Sequence, residues 1–597
     1  MRFPSLDMLA TRARQVLARF PVTLAAGVAA AVFAIIASTT GADDLWARLA
    51  FVVALGLPLS FALTMLAELR AWPRIAMLLA MLAGAGALAA FFTVWPGLDE
   101  KHDAIRYIQL SAAVHLAVAF LPFVGRDERA GFWQYNRRLF LSFLRAVVFS
   151  GVLFVGLAIA LAALDRLFGL HVPSETYLRL WFVLAFVANT WIFLAGVPSD
   201  LPALAADREY PKALKIFTQY ILTPLVAVYL LILLAYLVKI LLSDEWPSGW
   251  IGYLVTSVSV AGILGFLLVH PLRDDPGESW IRAYRRLLFI GLIPAALMLL
   301  AAFYIRIAPY GITELRYLGA LLGVWLFAIS VLFTVRREQG IRIIPLSLCV
   351  LLLLTLYGPL GTTHVAVASQ GARLAREVAA ARATPSPNVV TPAETEAGAA
   401  LRFLVEHRAG AEIAKAFGGR IPGGLALPDT LRPHTDSLAR VIMVAASLDY
   451  SRFGGGQSRG YFSYEASEAE AIAVAGFSWL VPVGTGDSVV TAGGDTLRLA
   501  FDTTIARLAV AWSGDSTLLF DFGPVMDSLE AVPGIEGGRP IVPSPQLHIS
   551  ATGSRRPAAL QLSWLTWQRE RGRRRMVTWR GRLLIGPAPE AQRPPAR

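Results

Sequence analysis

The stretch IFTQYILTPLVAVYLLILLAYLVKILL, residues 216–242, decides the fold. It runs for 27 residues with one charged side chain, Lys239. A helix rises about 1.5 Å per residue, so about twenty such residues cross the roughly 30 Å hydrocarbon core of a bilayer. Inside lipid every backbone polar group must be satisfied within the segment, and a helix does this by itself. The stretch therefore reads as a membrane span.

Outward from it the pattern recurs. Apolar runs lie near 20–38, 46–67, 75–95, 105–124, 141–164, 177–197, 216–242, 250–270, 287–306, 315–335 and 341–361, separated by short polar stretches. Hydrophobic residues make up 56% of the 597 and charged residues 16%, against about 45–50% and about 25% in soluble proteins. Basic residues precede the first run, but no small-residue cleavage site leads from it into soluble sequence, so it reads as a retained helix. After Gly371 no such run returns. The expected fold is a polytopic all-α transmembrane bundle of about 11 helices followed by a soluble α+β domain. Its parts are an N-terminal segment over 1–19, the helical domain over 20–363, a helix and linker over 364–392, and the α+β domain over 393–597.

Basic residues orient the spans. Loops on one side hold Arg2, Arg12, Arg14, Arg19, Arg70, Arg74, Arg126, Arg129, Arg137, Arg138, Arg208, Lys212, Lys215, Arg273, Arg282, Arg285, Arg286, Arg336, Arg337 and Arg342. The other side offers Arg48, Lys101, Arg106, Arg166, Arg306 and Arg316, with acidic Asp43-Asp44 and Asp99-Glu100. The expectation is a cytoplasmic N-terminus and, with an odd number of spans, an extracytoplasmic C-terminal domain. This asymmetry also accounts for the net charge of +12 without a nucleic-acid partner. The expected partner is the lipid bilayer, with anionic lipid or envelope proteins beside it. Trp46, Trp95, Trp246 and Trp250 at the span ends are expected at the headgroups, and segment 125–140 reads as an interfacial helix or a basic loop.

Ionisable and polar groups inside spans are functional candidates because burying them in hydrocarbon is costly. His115 and Asn189 are the intramembrane candidates. A charged set gathers toward the outer ends: Lys239, Arg306, Glu314 and Arg316. Pro309 and Gly311 mark a turn there, after which Thr313 or Glu314 is placed to cap a helix start. Lys239 and Arg306 can equally snorkel to headgroups. Pro58, Pro224, Pro294 and Pro345 interrupt other spans, without paired carboxylates of the kind a proton-coupled carrier uses.

In the C-terminal part, Thr384–Asn388 reads as a linker and 393–416 as an amphipathic helix burying Leu401, Leu404, Val405 and Ile413. Period-two patterns follow: Leu497, Leu499 and Phe501, then Leu518, Phe520 and Phe522. Leu560–Leu565 and Val577–Leu583 form a hairpin with a charged turn at Arg569–Arg575. Ser451–Gly460 is glycine-rich but lacks the Lys-Ser or Lys-Thr of a P-loop and reads as a loop. Glu465, Glu468 and Glu470 read as a solvated helix start. His407, His434 and His548 lack metal-ligand spacing, and Cys349 is the single cysteine. No catalytic residue, cofactor or metal is expected.

Three stretches carry a resemblance: Phe132-Trp133-Gln134-Tyr135-Asn136-Arg137-Arg138-Leu139, the loop Tyr310–Tyr317, and Gly476-Phe477-Ser478-Trp479-Leu480-Val481-Pro482-Val483. In these the chain resembles a bacterial family known as domain of unknown function 4153. The resemblance implies a multi-span membrane protein with an outward C-terminal extension and supplies no catalytic residues. The expected role is a non-enzymatic envelope scaffold, sensor or accessory component. The alternatives are a secondary permease, which needs a cavity near Asn189 or His115, and a transferase acting on a lipid carrier. The transferase needs a cleft lined by the charged set.

Overall fold

The computed structural model describes residues 6–587 apart from 41–43, 99, 126–128, 201–209, 244–249, 276, 337–338, 384–390, 425–434, 449–459, 467–473, 486–487, 493–494, 503–505, 513–516, 531–540, 543–546, 552–556 and 571–572. The proline linker, most of the glycine-rich loop, Glu468, Glu470, His434, Asp43, Asp99 and Trp246 lie outside the described residues, as do the side chains of Trp250 and Arg569–Arg575. The chain divides into two compact units, residues 1–369 and 370–597.

Among the described residues of the first unit, ten helices are long and apolar enough to cross a membrane. After α1 (Leu6–Arg19) come α2 (Pro21–Thr40), α3 (Asp44–Leu69), α4 (Arg74–Val94), α5 (Lys101–Phe120) and α6 (Arg129–Phe168). Then follow α7 (Ser174–Ala195), α8 (Lys212–Ser243), α9 (Trp250–Val269), α10 (Ser279–Tyr310) and α11 (Glu314–Val335). Large apolar side chains such as Phe149, Val152, Leu231 and Leu242 stay exposed on these helices, as a lipid-facing surface requires.

The eleventh apolar run is not a full-length helix. It holds α12 (Ile343–Leu354), 12 residues or roughly 18 Å long, then a turn to α13 (Thr362–Ala383). Gly358 enters that turn with φ +81°. The segment nevertheless lies antiparallel along α5. Arg342 donates to the Phe123 carbonyl at one end. Cys349 Sγ lies 3.3 Å from the Ala113 carbonyl oxygen midway, and the Arg106 guanidinium sits 5.5 Å from the Tyr357 ring centre at the other end. Buried Gln109 clasps the turn through the hydroxyls of Thr355 and Thr362, each 3.1 Å away.

Two spans contain wide π-helical turns, Leu184–Ala188 in α7 and Thr218–Leu222 in α8. Pro224 explains the second. Proline lacks an N–H and its ring clashes with the carbonyl four residues back, so the preceding turn widens.

Segment 129–140 is not a separate interfacial helix. It is the first third of α6, a 40-residue helix about 60 Å long, and Phe132, Trp133, Tyr135 and Leu139 are buried in protein. Trp133 stacks on Tyr210 at 5.4 Å and donates to the Leu267 carbonyl at 2.7 Å. Tyr135 donates to the Val118 carbonyl at 3.2 Å. Trp95 likewise departs from the headgroup expectation: it is 0% exposed, stacked between Phe91 and Tyr107, and donates to the Asp103 carbonyl.

The second unit is α+β. The expected helix over 393–416 is two, α14 (Pro392–Glu406) and α15 (Gly410–Ala416), broken where Arg408 takes φ +54°. Thr391 and Glu394 form a reciprocal cap that starts α14, and Leu401, Leu404, Val405 and Ile413 are buried. One further helix, α16 (Thr435–Ala445), precedes the strands.

The strands are β1 (Gly460–Ala466), β2 (Trp479–Gly484), β3 (Ser488–Ala492), β4 (Asp495–Asp502), β5 (Arg507–Trp512), β6 (Leu518–Asp521), β7 (Ile541–Val542), β8 (His548–Ser550), β9 (Ala558–Glu570) and β10 (Arg573–Ile585). They form one sheet ordered β2-β10-β9-β1-β7, with β8 on β9, and a meander β3-β4-β5-β6. All pairs are antiparallel except β1–β7. Glu465 belongs to β1, not to a helix start, because the aromatic run Tyr461–Tyr464 favours a strand. The hairpin β9–β10 matches expectation, and its Trp567 and Trp579 share one core with Leu497, Leu508 and Phe520 of the meander.

Candidate functional site

Arginine chemistry at the helix ends sorts the charged candidates. The last carbonyls of a helix lack intrahelical donors, and a guanidinium placed there satisfies them while complementing the helix dipole. Arg19 donates to the carbonyls of Val197 and Pro198 beyond α7 and pairs with Glu68 of α3 at 2.7 Å. Arg285 donates to Phe333 and Arg336 at the end of α11. Arg70 reaches the Val124 carbonyl, next to the Phe123 carbonyl held by Arg342. These contacts stitch one end of the bundle, the end richer in arginine. At the opposite end Arg48 caps α4 through the Phe92 and Trp95 carbonyls, both at 2.8 Å.

Arg316 caps α10, donating to Gly311 at 2.9 Å and Tyr310 at 3.3 Å. The chain turns there because Gly311, at φ +69°, ends α10 after Pro309 and Tyr310 have continued the helix. Of the two residues expected to cap α11, Thr313 occupies the N-cap position without a side-chain cap bond, and Glu314 lies in the first turn.

Beside this turn α9, α10 and α11 enclose a cleft of about 680 Å³. Its polar rim is Arg306, Arg316, Thr256, Ser257 and Tyr253, and its walls include Leu299, Phe303 and Leu315. Gly319 admits the Phe303 ring: a Cβ there would come within 2.1 Å of it. Arg306 makes no hydrogen bond or ion pair among the described residues. Of the four charged candidates, Arg306 and Arg316 meet at this cleft. Lys239 sits exposed on α8 away from its lining, and Glu314 is 6% exposed and turned into the protein.

His115 and Asn189 line a second cavity, of about 360 Å³, between α2, α3, α5, α6 and α7. Asn136 and Thr190 join them there. Asn136 lies inside the Phe132–Leu139 stretch, so a polar signal was present in the sequence, whereas nothing local linked Thr256 or Ser257 to Arg306. Among the described residues no group of three His, Cys, Asp or Glu side chains is arranged to hold a metal ion.

Comparison with known proteins places the membrane unit in a family. The family described as Domain of unknown function (DUF4153) matches residues 24–379, and the chain belongs to it. The Phe132–Leu139 and Tyr310–Tyr317 stretches fall inside that match, and Gly476–Val483 falls outside it. An uncharacterized protein, PM1469 of Pasteurella multocida (strain Pm70), is 24% identical over 311 residues. That similarity covers 51% of this chain and 50% of the relative, so it spans about half the relative's length. No solved structure matches the chain.

Proposed function

We propose that this member of the family is a non-enzymatic component of the bacterial envelope, which holds an anionic amphiphile of the outer leaflet in the cleft between α9, α10 and α11. The observation that carries this reading is Arg306 at the rim of a cleft with apolar walls, with no protein partner among the described residues. A guanidinium is the preferred group for phosphate or carboxylate, and Leu299 and Phe303 below it suit an acyl chain. Glu314, the natural acid–base candidate of a transferase, is absent from the lining, which favours binding over catalysis.

On this reading the N-terminus is cytoplasmic, which the asymmetry of basic residues supports. The segment laid along α5 then serves as an eleventh crossing beside the ten long apolar helices, and the C-terminal unit lies outside the cytoplasmic membrane. There it contacts an envelope partner as a scaffold, sensor or accessory. A secondary permease is the second reading, and the cavity lined by His115 and Asn189 is the observation in its favour.

The test is phosphatidylglycerol retention by the purified full-length protein, read by native mass spectrometry with phosphatidylcholine as the neutral control. Arg306→Gln should weaken retention at least tenfold, about 1.4 kcal/mol, while Arg306→Lys keeps part of it. Equal retention by wild type and Arg306→Gln would refute the reading.

A further inference from the structure

We infer that the cavity lined by His115 and Asn189 is a second binding site, for an uncharged glyceride whose head carries a free hydroxyl and an ester carbonyl. The inference does not depend on what occupies the cleft of α9, α10 and α11.

Hydrogen bonds already made within the protein define what the cavity offers. His115 Nδ1 lies 2.7 Å from the Ser111 carbonyl oxygen, which can only accept, so Nδ1 carries the proton. In the neutral ring Nε2 is then left as an acceptor. Asn136 Nδ2 donates to the carbonyls of Ala119 at 3.0 Å and Phe132 at 2.9 Å, which uses both its N–H bonds and leaves Oδ1 as an acceptor. Asn189 is joined to Ser150 Oγ at 3.2 Å. Whichever way its amide is turned, at least one N–H remains. Thr190 adds a hydroxyl. With Thr23, whose Oγ1 lies 2.9 Å from Ser60 Oγ, the lining thus presents two acceptors, an amide donor and the hydroxyls of Thr23 and Thr190, and no Lys or Arg among the described residues belongs to it.

That inventory selects the ligand. A phosphate would place negative charge against two acceptors in a low-dielectric site with no compensating cation, a costly burial. A hydroxyl meets His115 Nε2 and Asn136 Oδ1, and an ester carbonyl meets the Asn189 N–H. A cavity of about 360 Å³ holds the head and its ester groups rather than a whole lipid. The tails have an exit: Phe143, 54% exposed, and Phe140 open onto the apolar surface of the bundle.

The backbone is shaped for it. The π-helical turn Leu184–Ala188 directly precedes Asn189. Wide turns of this kind recur at functional sites. Gly27 of α2 lets that helix press on the turn, since a Cβ there would come within 2.6 Å of the Phe186 carbonyl oxygen.

The test uses full-length protein in nanodiscs with a diacylglycerol that carries a photoactivatable acyl chain. After irradiation, label should concentrate on peptides spanning residues 112–143 and 186–193. Unlabelled diacylglycerol should reduce it at least fivefold, phosphatidylglycerol should not, and Asn189→Leu should reduce it by a similar factor. The competition arm uses the wild type, so it stands even if the variant fails to fold. Label spread evenly over all spans, or competed equally by phosphatidylglycerol or by a quinone, would overturn the assignment.

Discussion

The two ends of the membrane unit use arginine differently. At the end richer in basic residues, Arg19, Arg70, Arg285 and Arg342 are spent on carbonyls at the ends of neighbouring helices. There the residues that orient a membrane protein also lock its helices together. At the other end Arg48 and Arg316 do the same, but Arg306 has no carbonyl of its own and faces a cleft. Positive charge in a span-end loop is therefore not one signal. The distinction between a structural guanidinium and one held ready for a ligand lies in whether a helix end is within reach.

The largest expected effect tests the stitched end. Trp133 joins α6 to α9 and to Tyr210, so Trp133→Ala removes a buried ring, its stacking on Tyr210 and a hydrogen bond together. It should cost about 3–5 kcal/mol of stability, read as a lower unfolding midpoint in detergent. Trp133→Phe should cost far less, since most of the apolar contact survives. An unchanged midpoint in Trp133→Ala would mean that this end is not a structural junction.

A smaller effect sharpens the contrast. Arg285→Ala leaves the Phe333 and Arg336 carbonyls without their donor and should cost about 1–3 kcal/mol. Arg306→Gln should change stability by no more than about 0.5 kcal/mol, because Arg306 makes no hydrogen bond or ion pair among the described residues. Comparable losses in the two variants would erase the distinction between the ends.

The bundle was legible because bilayer thickness dictates the length of an apolar run. The run at 341–361 has the composition of a span but not its helix, and Gly358 with the Gln109 clasp, 246 residues from Thr355, sets that difference. The stretch Phe132–Leu139 looked interfacial because aromatic and basic residues suit headgroups, but the same residues suit a junction between helices. Apolar pattern alone does not say whether a face meets lipid or protein. Arg306 and Arg316 were legible as a pair because they flank one tight turn. His115 and Asn189 were each conspicuous, but their meeting depends on helix packing and on a π-helical turn with no local sequence signature. In the C-terminal unit the spacing of Thr391 and Glu394 is itself the signature of a reciprocal cap and marks the start of α14.

The smallest effect lies in the ion pair of Lys215 and Glu278. Glu278 accepts from Lys215 Nζ and, at 2.7 Å, from Trp280 Nε1. The Lys215 hydrogen bond above all, and then Trp280, hold its carboxyl below the usual glutamate value against an opposing effect of burial. A depressed acid stabilises the folded state above its unfolded value of about 4.3, and that contribution is lost as the pH falls through the lower folded value. Exposure of the lysine limits the gain to about 0.2–1 kcal/mol. Glu278→Gln should therefore lower the unfolding midpoint slightly at neutral pH and converge with wild type in acid. A difference that persists unchanged below pH of about 3 would assign the contribution of Glu278 to packing rather than to its charge.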